Sequence, residues 1–91
     1  MTRDKAEILA IKALSWAAST DFLARFVDAA GIGIADIRAR ADDPELLAAL
    51  LDFVLADDRV LTEFCAAGEV TPREVHAARQ ALPGAAPEYS T

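Results

Sequence analysis

The chain has 91 residues, 54% of them hydrophobic, with four glycines and four prolines, which fits one domain around one core and excludes general disorder. Fifteen acidic residues against nine basic ones give a formal net charge of −6. That balance argues against non-specific attraction to nucleic acid or an anionic membrane, because both need a clustered basic surface.

The opening MTRDKAEILAIKALSW interleaves charges with apolar residues, unlike a secretory signal, and no apolar run reaches the roughly 18 residues of a bilayer span. The single cysteine, Cys65, cannot form an internal disulfide. These features lead to the expectation of a soluble cytoplasmic protein without membrane contact.

Hydrophobic spacing is helical along the whole chain, and no segment reads as a strand. A first helix is expected over residues 3 to 18, with Ile8, Leu9, Ile11, Leu14 and Trp16 wrapping much of its circumference, a width that predicts burial against more than one neighbour. STDFLARFVDAAG follows, with Ser19 and Thr20 as capping candidates and Phe22, Leu23, Phe26 and Val27 on one stripe. Gly31 supplies its stop.

A short third helix over residues 34 to 41 presents Ile34 and Ile37 on one side. The fourth begins at Asp43 as N-cap with Pro44 at the first position, and its leucines mark it as the central core helix. Asp57 or Asp58 caps a fifth helix carrying Val60, Leu61, Phe64 and Cys65, which ends near Gly68. In TPRE, Thr71, Pro72 and Glu74 form a capping-box pattern that starts a sixth helix running to about Leu82.

The expected fold class is therefore all-α, a compact bundle of about six short helices in one domain over residues 1–82. Residues 83–91, PGAAPEYST, read as a mobile C-terminal tail. Trp16, Phe26, Leu50, Phe53, Leu61 and Phe64 are expected to share the core. At an offset of 38 residues Phe22, Leu23, Phe26 and Val27 fall on Val60, Leu61, Phe64 and Cys65, and Ile37 falls on Val75. This echo suggests two tandem three-helix units, residues 6–41 superposing on 44–79.

Catalytic patterns are sparse. His76, the only histidine, has no nucleophile nearby in sequence and reads as a surface helix residue, while Cys65 beside Phe64 reads as a buried inert thiol. The acidic pairs Asp42/Asp43 and Asp57/Asp58 stand where helices begin, and they lack the spacing of a calcium loop. GIGIAD follows a helix and lacks the third glycine of a dinucleotide fingerprint, so Gly31 and Gly33 read as a corner. No catalytic residue, cofactor, metal site or small-molecule substrate is expected.

GIGIADIRARADDPELLAALLDFVLADDRVLTEFCAAGEVTPREVHAARQAL, together with the AEILAIKALSW opening, resembles a family of short alphaproteobacterial proteins known as domain of unknown function 3572. The LLDFVLADDRVLTEF block is the most specific part. The resemblance implies a small all-helical bacterial protein and brings no activity with it.

Two functional classes follow. The first is a non-catalytic protein-interaction module, because abundant alanine allows close helix approach and the apolar faces are wide; its partner is another protein, a homo-oligomer included. The alternative is a helix-turn-helix-like nucleic-acid-binding protein, in which Arg38 and Arg40 would face base edges or phosphates. Asp36, Asp42 and Asp43 flank those arginines and would meet the same polyanion. The expectation is that Ile32 and Ile37 point inward and that Arg38 and Arg40 are solvated or paired with nearby carboxylates.

Overall fold

The computed structural model describes residues 1–84, and these form six helices with no strand among them: α1 (Arg3–Ala18), α2 (Phe22–Ala30), α3 (Ile34–Ala39), α4 (Pro44–Leu55), α5 (Asp58–Gly68) and α6 (Pro72–Ala81). The all-α bundle expected from periodicity is what the chain forms. Of the expected C-terminal tail, residues 85–91 lie outside the described residues. Pro83 and Gly84 are tied down, because their carbonyls accept hydrogen bonds from the Arg79 guanidinium at 3.3 and 3.1 Å.

Helix starts follow short-range chemistry. Thr2 Oγ1 accepts from the Lys5 N–H, Asp43 from the Glu45 N–H at 2.9 Å, and Asp57 from Arg59 and Val60, each satisfying donors that have no partner inside the helix. Thr71 and Glu74 form the reciprocal box, at 2.9 and 3.1 Å. The α1 to α2 turn departs from expectation. Ser19 closes α1 by donating to the Trp16 carbonyl, whereas Thr20 bridges the turn, donating to the Ala17 carbonyl and accepting from the Phe22 N–H.

Two corners are built alike. Gly31, at φ 72°, ends α2, and the N–H groups of Gly31 and Ile32 both reach the Val27 carbonyl. Thirty-eight residues on, Glu69 takes the same left-handed conformation at φ 55°, and the Val70 N–H reaches the Cys65 carbonyl. Gly68 is thus not the left-handed residue. It is needed for space, since a Cβ there would stand 3.2 Å from both Lys12 Cδ and Phe64 Cε1.

The units nonetheless pack differently. α6 lies along both α1 and α4 and buries Val75 and Ala78, whereas α3 packs extensively on no other helix and buries only Ile37. Six residues carrying Asp36 and Arg38 offer too little apolar surface for more. The expected superposition of residues 6–41 on 44–79 as two equivalent three-helix units therefore fails, and the halves share only helix order and corner chemistry. α3 also ends at Ala39, two residues short of the expected boundary.

The central position belongs to α1, which packs on α2, α4, α5 and α6. It does so with Ala6, Ala10, Ala13 and Ala17, all fully buried, together with Leu9. The expected burial of its large residues fails at two positions: Ile8 is 65% exposed and Ile11 43%. α4 supplies bulk instead, burying Leu46, Leu47, Leu50, Leu51 and Val54.

The aromatic residues form one chain through the molecule. Ring centroids lie 5.6 Å apart for Phe64 and Trp16, 5.5 Å for Trp16 and Phe22, 5.3 Å for Phe22 and Phe53, and 5.6 Å for Phe53 and Phe26. The tilted pairs join α5, α1, α2 and α4, each adding about 0.5–1.5 kcal/mol beyond its burial. Trp16 and Phe53 are partly buried at the margin of this core, and Phe26, Leu50, Leu61 and Phe64 lie inside it. Ile37 is buried and Ile32 half-buried against the same core.

Because Phe64 is 0% exposed, Phe64→Ala should lower the unfolding free energy by about 3–5 kcal/mol in urea denaturation. A loss under about 1 kcal/mol would mean that this ring is not enclosed.

Candidate interaction surface

The outward side of α1 carries Asp4, Ile8, Ile11, Ser15 and Ala18, residues whose spacing of three and four places them on one stripe. All five are exposed. The stripe points away from the buried alanines because α1 uses its small residues for close approach to its neighbours and leaves large ones outside. Beyond Ile11 the stripe runs into a groove of about 370 Å³, where Leu14, Ser15 and Ala18 of α1 face Leu23 of α2 and Ile34, Ile37 and Arg38 of α3. Ile34 is itself 49% exposed.

The groove exists because α3 is short and set off from the bundle. Gly31 and Gly33 turn the chain through the corner, and Asp36 accepts the Gly33 N–H at 3.3 Å to start the helix. Ile37 anchors it inward. Ile34 and Arg38, one turn apart, line the groove from the α3 side.

The two arginines of the corner have separate environments. Arg40 donates from Nε and Nη2 to Asp43 Oδ2 at 3.0 and 2.9 Å, joining the end of α3 to the N-cap of α4. The Arg38 side chain makes no hydrogen bond or ion pair among the described residues. The Arg40 guanidinium holds the Asp43 carboxyl below the usual carboxylate range, with the Glu45 N–H adding to the effect.

Other polar candidates stay apart from the groove. His76 is exposed on α6. Cys65 is half-buried on α5, and burial pushes its thiol up, with the Glu74 charge adding to the shift. Asp57 serves as a cap, while Asp42 and Asp58 are exposed at helix starts. Among the described residues no group of three or more His, Cys, Asp or Glu side chains could hold a metal ion, and no helix is long and apolar enough to cross a membrane.

Sequence reasoning located the corner and missed the exposed isoleucines. The alanine series 6, 10, 13 and 17 forms a continuous small-residue face opposite Ile8 and Ile11, and the packing of the neighbouring helices decides which of the two turns inward.

The Asp43 contact has a pH signature. Its pKa is lower folded than unfolded, so its contribution to stability is present above the unfolded value and is lost as pH falls through the folded one. In an NMR titration the Asp43 carboxyl should titrate below the ordinary aspartate value, and Arg40→Gln should move it upward. An unmoved titration would show that Arg40 does not hold it.

Comparison with curated proteins and with solved structures finds no match. A family model does match: that described as a protein of unknown function (DUF3572), over residues 3–85. This span takes in all six helices, the groove and both corners, and the chain belongs to that family.

Proposed function

We propose that the protein is a non-catalytic helical module that works by binding another protein through the outward side of α1 and the edge of α3. The observation that carries this reading is the exposure of Ile8, Ile11 and Ile34 on a surface continuous with an apolar groove. Large aliphatic side chains left in water on one side of a small protein gain about 25 cal/mol per Å² when a partner covers them. The reading is supported by the chemistry that surrounds the face. The polar groups of the groove are a serine and one guanidinium, suited to fixing orientation and register, no acid, base or nucleophile pair lines it, and the stripe adds one carboxylate, Asp4, at its far end.

The proposal assigns Arg38 to a carboxylate on the partner and Arg40 to Asp43, so neither is given to nucleic acid. It places the protein in the cytoplasm of a bacterium, which suits a chain whose one cysteine lies half-buried in a helix.

The test is photo-crosslinking in the native cell with a photoreactive residue at Ile11 and, in a separate variant, at Arg73, which is exposed on α6. Discrete protein adducts are expected from position 11 and not from position 73. Equal adducts from both positions, or none from position 11, would contradict the reading.

A further inference from the structure

Resting on that reading, we propose that the partner covering the α1 face is a second copy of this chain, in a two-fold dimer whose helices α1 pair antiparallel. A two-fold interface must be complementary to itself: whatever projects at one end of the patch has to fit what lies at the other. The α1 stripe has this property. Its N-terminal half carries the knobs Ile8 and Ile11, and its C-terminal half carries the small residues Ser15 and Ala18 at the mouth of the groove.

The register follows from the numbering. Positions 8 and 15, and positions 4 and 18, are each centred close to residue 11, so a two-fold axis normal to α1 near Ile11 superposes both pairs at once. Ile8 of each copy then lies over Ser15 of the other, where a small side chain permits close helix approach. Asp4 reaches the level of Ala18, beside Arg38 on the groove wall.

Charge decides the choice of occupant. Asp4 and Arg38 are both exposed, and neither forms an ion pair or side-chain hydrogen bond among the described residues. By contrast Arg3 holds Glu7, Arg40 holds Asp43 and Arg79 holds Asp52. The opposite unpaired charges thus stand at the two ends of one apolar stripe. Antiparallel pairing joins them twice per dimer, whereas parallel pairing would leave Asp4 facing Asp4. A 16-residue helix is about 24 Å long, so the patch is at the small end of specific interfaces and the dimer belongs to the weak, reversible class.

Sedimentation equilibrium of the full chain up to about millimolar concentration tests this, with wild type, Asp4→Arg, Arg38→Asp and the double reversal compared. The wild type is expected to dimerise, each single reversal to weaken dimerisation about tenfold or more, and the double reversal to recover most of the loss. Thermal melts of the same variants confirm that each is folded. A wild type that stays monomeric, or a dimer indifferent to the reversals, overturns the proposal. If the wild type is monomeric while position 11 still crosslinks to a different protein, self-pairing fails and the interaction reading stands.

Discussion

Everything in this fold depends on the close approach of four helices to one alanine face. Ala6, Ala10, Ala13 and Ala17 are fully buried on α1, and α2, α4, α5 and α6 all pack on that helix. A methyl group lets a neighbouring backbone come near, so the bulk of the core must come from elsewhere, from the leucines of α4 and the rings of Phe22, Phe26 and Phe64. The same constraint reaches the end of α5. There Gly68 admits Lys12 and the Phe64 ring, and the Lys12 ammonium donates to the Gly68 carbonyl at 3.1 Å, a cation at a helix C-terminus supplied by another helix.

The outward consequence is the candidate interaction surface. With alanines filling the inner side of α1, its isoleucines face water, and apolar residues lie on both sides of the helix. α3 extends the same surface, because one buried isoleucine docks it and leaves a groove beside it. Position in the fold and availability for a partner are thus two results of one packing choice.

Much of the fold was legible in the sequence wherever the deciding interaction spans only a few residues. Asp43, Asp57 and the Thr71–Glu74 pair cap the helices they were expected to cap, and Gly31 is left-handed as its corner requires. What was not legible lies in interactions between distant segments. Periodicity alone does not say whether a stripe of alanines or a stripe of isoleucines faces the core when both share one helix. Glu69 in a left-handed conformation carries no residue signature, since its neighbour Gly68 looks like the natural stop. The 2.6 Å contact of Arg79 with Asp52, which ties α6 to α4, joins residues 27 positions apart. The groove was hidden for a related reason, since it arises from how little of α3 packs.

The orientation of α1 is the central claim, and urea denaturation of two variants at low micromolar concentration tests it most directly. Ile8→Ala should leave the unfolding free energy within about 0.5 kcal/mol of wild type, because the side chain is already in water. Ala13→Leu should lower it by about 1–3 kcal/mol or more, because three added carbons have no room against the packed helices. The reverse ordering, with Ile8→Ala strongly destabilising and Ala13→Leu tolerated, would contradict the account.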